Sequence, residues 1–247
     1  MIKIEDIDVF GFRKAINGIR NAMNSWDKSD SCIDCCIYPI RRCEGCPYEF
    51  FGCNESGYFF IGEADMKLCK NLIKAGSPNR KFMQMIHVQA DVTAPLYWWK
   101  EYDTYKVGTV ANSCSTMHTI HKKEFTLDDF SCENLISDSV DILKDLINTL
   151  NDCRDAYLNY DKDSNLVTEE ITSKKHIWWQ IIQLLPSSFN QMRTIDLDYE
   201  TLYSIYHQRR NHKLDEWRDF CKWIEILPYM KELLGLDEQT ETKEQKE

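Results

Sequence analysis

Cys32, Cys35, Cys43 and Cys46 form two C-x-x-C pairs separated by a short loop. That spacing can place four thiolates tetrahedrally around zinc. The four belong to a distinct insert, Cys32 to Cys53, which holds six of the eleven cysteines of the chain. Gly45 and Pro47 suit the tight turn of a metal knuckle, and Cys36 and Cys53 stand as alternate ligands. Structural zinc is the favoured reading, and an iron–sulfur cluster, which also takes four thiolates, is the alternative. The metal would fold a segment too small for a core of its own. Two further candidates are weaker. His118 and His121 sit three apart but have no acidic or cysteine partner fixed by spacing. Cys114 lies between small polar residues, but nothing in the sequence supplies its base, so it reads as an unreactive thiol.

The elements that must position such groups alternate between strand and helix patterns. Ile2 to Phe10 reads as a first strand, and Phe12 to Trp26 as a helix with Ile16, Ile19 and Met23 at helical spacing. Asp65 to Ala75 is a second helix with Gly76 at its C′ position. Lys81 to Val92 alternates, with Ile86, Val88, Ala90 and Val92 on one side and His87, Gln89 and Asp91 on the other, a half-buried strand. Pro95 opens a short helix, where a missing N–H costs least. Trp98, Trp99, Tyr102 and Tyr105 around it read first as core and interface aromatics. Thr126 to Asp129 marks another helix entry. Glu133 to Tyr157 is a long amphipathic helix with a Leu135, Val140, Leu143, Leu146 and Leu150 stripe. After a polar gap, another helix ends at Leu185-Pro186. Asp198 is the N-cap of a helix running to about Lys213. Leu214 to Leu227 follows, closed by Pro228, and Tyr229 to Leu234 adds a short turn stopped by Gly235. The fold class is α+β, helix-dominant, with one domain over residues 1–236, the 32–53 insert within it, and a polar 237–247 tail.

Composition sets the outer bounds. A hydrophobic fraction of 43% and an aromatic fraction of 12% describe a folded protein. The formal net charge of -10 makes nucleic acid an unlikely partner, although a local basic pocket depends only on nearby charges. No apolar run reaches the roughly 18 residues of a membrane span, and the start lacks the pattern of a secretion signal. A cytoplasmic location is the expectation. There the cysteines are thiols or metal ligands.

Several motifs together resemble the flavin-dependent thymidylate synthases. Ser77-Pro78-Asn79-Arg80-Lys81 is similar to the family's Ser-Pro-x-Glu-His, with Arg80 and Lys81 in place of Glu and His. In the family that histidine helps hold the flavin. Ala94-Pro95 and the following helix match. The family's Arg-His-Arg falls on Thr104-Tyr105-Lys106, and Asn112 and Ser115 resemble its Asn-Glu-x-Ser. Leu185-Pro186 matches. A ligand-contacting asparagine falls on Asp198, an arginine on Glu200, a later asparagine on His207, and the nucleotide-binding arginine on Arg209. His212, Glu216 and Arg218 follow the family's closing His-Ala-Gln-x-Glu-Ile-Arg. The resemblance covers residues 1–31 and 55–230 and is specific in spacing, while the catalytic motif is degenerate. Chains of that degenerate kind resemble those carried by bacterial viruses.

The resemblance implies a thymidylate-synthase-complementing-protein-like fold, a homo-oligomer with sites built between subunits, and a nucleotide or other phosphorylated small molecule as ligand. Anionic ligands need forked arginines and donors. Replacing Arg-His-Arg by Thr-Tyr-Lys, and arginine by Glu200, argues against ordinary use of FAD and deoxyuridylate. Arg80, Lys81, Tyr105, Lys106, Arg193 and Arg209 can still meet a phosphate or a base, and Asn112, Ser115, Asp198 and His207 complete the candidate set. Arg209-Arg210 reads equally as a solvated helix face, and the stretch around Asn112 and Ser115 as a turn or cap. The leading expectation is a nucleotide-binding or sequestering protein without redox chemistry. The alternatives are a divergent flavin-dependent nucleotide-modifying enzyme, transferring a methyl or hydroxymethyl group to a deoxyuridylate-type substrate, and a zinc-stabilised interaction protein.

Overall fold

A computed structural model describes residues 2–33, 59–160 and 171–237. Its elements alternate as the periodicity predicts, helix predominating. The strands are β1 (Lys3–Phe10), β2 (Cys32–Ile33), β3 (Phe59–Phe60), β4 (His87–Pro95), β5 (Thr109–Ser113) and β6 (Asn190–Asp198). The helices are α1 (Phe12–Ile19), α2 (Glu63–Lys74), α3 (Leu96–Tyr102), α4 (Thr116–Thr119), α5 (Ser137–Asn159), α6 (Lys174–Leu184), α7 (Tyr199–Arg209), α8 (Asp215–Ile226) and α9 (Met230–Leu234). One sheet runs in the order β1-β4-β6-β5, and β2 pairs antiparallel with β3 through Cys32–Phe60 and Ile33–Phe59. No helix among the described residues is long and apolar enough to cross a membrane.

The chain divides into two compact units: residues 1–3, 92–104 and 112–193, and residues 4–91, 105–111 and 194–247. In the first, α5 packs along α6 over a core that includes Phe125, Phe130, Leu143, Leu150 and Ile181. Helix α3 buries Trp98, Trp99 and Tyr102, so three of its aromatics are core, as their spacing suggested. Its first N–H groups would be orphans at a helix start. Those of Leu96 and Tyr97 donate instead to the carbonyls of Phe189 and Ser187, both at 3.0 Å.

In the second unit, α1 and α7 pack on a 3-10 turn, Lys81–Met85, and α8 packs on α7 and α9. Ile16, Ile86, Leu202, Trp217 and Phe220 are fully buried there. Asp65, on the first turn of α2, is also fully buried. Arg20 reaches it through Nε at 2.7 Å and Nη2 at 2.6 Å, and the hydroxyls of Ser29 and Ser31 donate at 2.5 and 2.6 Å. Burial alone pushes this carboxyl up. The hydrogen bonds from Ser29, Ser31 and Arg20 and the charge of Arg20 outweigh it and hold Asp65 below its ordinary value. Asp30 caps the same helix, accepting from the N–H groups of Ala64 at 2.8 Å and Asp65 at 3.1 Å.

Several boundaries differ from expectation for identifiable reasons. Helix α1 stops at Ile19, because the following residues fold into 3-10 turns with Asn24 at φ 46, a conformation asparagine tolerates. The strand expected from Lys81 begins at His87, since adjacent Phe82 and Met83 are both buried, which a period of two forbids. From Ile86 onward the expected inward set, with Val88, Ala90 and Val92, is buried. Pro95 ends β4 instead of starting α3. Helix α5 begins at Ser137, so Leu135 lies before it and is exposed. Helix α7 ends at Arg209. Strand β6 was not anticipated, although Ile195 and Leu197 alternate inward along it.

Candidate functional site

Two clusters of predicted ligand residues form on α7, within the second unit. At its start, the Asp198 carboxylate accepts from the Thr201 N–H at 2.7 Å, the N-cap the sequence predicted. Asp198 is buried, and its own N–H donates to the carbonyl of Gly108 at 3.1 Å. Gly108 has φ +69, and a Cβ there would fall 2.3 Å from Asp198 Oδ2, so only glycine lets this loop approach the cap.

The first cluster holds Arg80 and His207. Arg80 Nε donates to both oxygens of Glu200, at 2.8 and 2.7 Å, and its guanidinium lies 4.6 Å from the centre of the Tyr203 ring. Tyr203 in turn packs edge-on against His207 at 4.4 Å. Partial burial, then the charges of Arg210 and Arg80, hold His207 below its ordinary value. The imidazole is therefore neutral near pH 7.

The second cluster holds Tyr105 and Arg209. Arg209 Nε donates to the Tyr105 hydroxyl at 2.9 Å, and that hydroxyl donates to Gln208 Oε1 at 3.0 Å. The Arg209 guanidinium lies 4.8 Å from the Trp217 ring centre and 5.7 Å from that of Tyr105. The cation is thus fixed between two aromatic faces, a pre-organised arrangement for a planar or anionic group. Lys106, next along the chain, is exposed, as is Lys81.

The other three candidates lie in the first unit. Arg193 donates from Nη1 to Asp103 Oδ1 at 2.7 Å and from Nε to Gln191 Oε1 at 3.0 Å, and it stacks 4.3 Å over Trp99. Asn112 is exposed on β5. Ser115 caps α4, its hydroxyl accepting from the His118 N–H at 3.4 Å, which is the cap reading of that stretch. The ring of His121 packs against Tyr157 at 4.8 Å.

Of the four proposed zinc ligands, Cys32 lies in β2, while Cys35, Cys43 and Cys46 fall outside the described residues. Among the described residues no group of His, Cys, Asp or Glu is arranged to hold a metal ion. Two other thiols are plainly structural: burial pushes Cys69 and Cys221 up to about 12, with Asp65 and Glu225 adding to the rise.

No protein-family model and no curated protein sequence matches the chain. Solved structures do. The chain is similar to thymidylate synthase ThyX from Helicobacter pylori, crystallised with FAD and dUMP, at a TM-score of 0.57 and 13% identity, covering 95% of this chain and 97% of that one. A second structure of flavin-dependent ThyX from Helicobacter pylori, also with FAD and dUMP, gives 0.56 and 12%, covering 93% and 97%. The chain has the ThyX fold. Within that fold, Arg80 and Glu200 form one pair. The motif resemblance places a glutamate where Arg80 stands and an arginine where Glu200 stands. In this chain the two side chains bind each other at 2.7 Å. Each charge is matched by the other, so the pair is neutral. Gln208 and Trp217 are the neighbours of the Tyr105–Arg209 cluster that the sequence reading did not single out.

Proposed function

We propose that this chain is a nucleotide-binding protein built on the ThyX fold, with its catalytic motif degenerate, that binds or sequesters a nucleotide. The observation that carries this reading is Arg209 held between Tyr105 and Trp217, at the position where the resemblance puts a nucleotide-binding arginine. The exposed Lys106 beside it adds a flexible positive charge for a phosphate. Neutral His207 offers a ring nitrogen for hydrogen bonding without adding charge.

The residues present do not fit the flavin of the family. Arg80 and Arg193 are each engaged by a carboxylate of the chain, Glu200 and Asp103. Asp198 puts a buried carboxylate where the family has a neutral amide. These features oppose the phosphates of FAD, so no redox step is assigned. The flavin-dependent transferase reading rests on the FAD and dUMP of the similar structures, and a yellow purified protein would restore it. Structural zinc in the 32–53 insert, homo-oligomeric assembly and a bacterial-virus source stand as parts of the same proposal, each resting on sequence pattern or motif resemblance.

The deciding experiment is calorimetric titration of dUMP into the protein and its Arg209→Ala variant. The proposal expects saturable binding to the first and a loss of at least about tenfold in the second, with unaltered circular dichroism. Equal affinity in both would end the Arg209 assignment.

A further inference from the structure

In the second unit, one face of α2 carries Lys67, Lys70 and Lys74. They stand three and four residues apart, so they project as a single basic ridge. The ridge borders a groove of about 570 Å³ that is also lined by Phe60 and Ile61 of β3 and by Tyr229 and Glu232 at α9. Glu63 and Glu232 are the carboxylates of that lining. Lys67 and Lys74 are exposed, and among the described residues neither forms an ion pair.

Lys70, between them, is engaged: its Nζ donates to Asp237 Oδ2 at 2.6 Å. Asp237 is the last described residue. The chain reaches it after Gly235 turns at φ 71 and the Leu236 N–H closes back on the Lys231 carbonyl at 2.9 Å. Residues 238–247 therefore begin at the middle of the lysine ridge. They read EQTETKEQKE, with glutamates at 238, 241, 244 and 247 against lysines at 243 and 246. Three extended residues span about 10 Å, and the helix from Lys67 to Lys74 rises about 10.5 Å. A carboxylate every third residue thus matches the length of the ridge. Ten extended residues reach about 33 Å, beyond the roughly 18 Å of α2, so the segment is long enough to follow the helix from Asp237.

We propose that residues 238–247 of this chain dock along the basic ridge of α2 and occupy this groove, Glu238 and Glu241 meeting Lys67 and Lys74. Like charges three or four apart on a helix repel, and opposite charges brought to them relieve that repulsion. Exposed ion pairs are weak singly. On a segment already held at Asp237 they form at high effective concentration, so several act together. Because both lysines are exposed, the contact loosens with added salt.

The test is zero-length carbodiimide cross-linking of the full chain, with isotopically light and heavy copies mixed, followed by peptide mass spectrometry. The expected result is amide bonds from Lys67 or Lys74 to Glu238 or Glu241, within copies of one isotope, and suppressed in about 1 M salt. Lysine acetylation gives a second reading. Lys67 and Lys74 should react about threefold more slowly than in a Glu238→Gln, Glu241→Gln variant of unaltered circular dichroism, the size of one exposed ion pair. Absence of any link between residues 238–247 and α2 would overturn the proposal. So would links that join only light to heavy copies, or equal reactivity of both lysines in the two proteins.

Discussion

Arg20 and Asp65 show how a single buried pair controls a junction between helices. Each is nearly or fully buried, and Ser29 and Ser31 complete the coordination of the carboxylate. Removing one partner strands the other charge in a dry site, which costs about 3 to 5 kcal/mol. Asp65→Ala should therefore lower the urea unfolding free energy by about that amount. The acid response carries a sign of its own. The folded-state value of Asp65 lies below 3.8, so its stabilisation is complete well above 3.8 and is lost as pH falls through the lowered value. Urea midpoints measured down the acid limb should fall in the wild type, and this contribution should vanish in Asp65→Asn. His207 makes a second residue-level test. Its midpoint, followed by proton NMR, should lie below 6.5 and rise in Arg80→Gln, because Arg80 is one of the charges holding it down. A midpoint indifferent to Arg80 would detach the imidazole from that cluster.

At the level of elements, α7 is the part on which the site depends. It starts at the Asp198 cap, and the next strand-to-helix approach is possible only because Gly108 lacks a Cβ. Asp198→Ala should cost about 1 kcal/mol from the lost cap, with Tm falling by a few degrees. Gly108→Ala should cost at least as much through strain and the clash with Asp198, and the two losses should not add, since both act on one contact. The α5–α6 pair is the corresponding support of the first unit. Leu150 is fully buried in its core, so Leu150→Ala should destabilise by about 2 to 5 kcal/mol in chemical denaturation. Circular dichroism of these variants at low temperature checks that the helices persist.

For the molecule as a whole, ThyX likeness covers nearly the full chain at very low identity. The architecture is shared at that identity, and within it Arg80 and Glu200 close an ion pair at 2.7 Å. The first whole-protein measurement is the visible spectrum, followed by mass spectrometry of small molecules and metal released on denaturation. A colourless protein with bound nucleotide and about one zinc per chain is the expected result, four cysteine thiolates being a full tetrahedral set. Removing that zinc with a chelator should unfold the insert and leave dUMP binding by the Arg209 cluster in place. Static light scattering tests the proposed homo-oligomer against a monomer of 29.2 kDa.

Periodicity alone determined much of the element order. Apolar residues at strand or helix spacing on one face must be buried, so Ile86 to Val92, the Leu143–Leu150 face and α8 could be read directly. The Asp198 cap, Gly76 after α2 and the Pro228 stop were legible because each needs only local backbone chemistry. Residue spacing likewise pointed to the ThyX fold, which the solved structures then matched. What the sequence left open were partnerships between distant positions. Arg80 and Arg193 looked like available cations until the fold placed Glu200 and Asp103 against them. Arg209 read equally as a nucleotide contact and as part of a solvated helix face, and only the fold placed Tyr105 and Trp217 around it. A charge's meaning depends on what lies within a few ångströms of it, and only tertiary packing sets those distances.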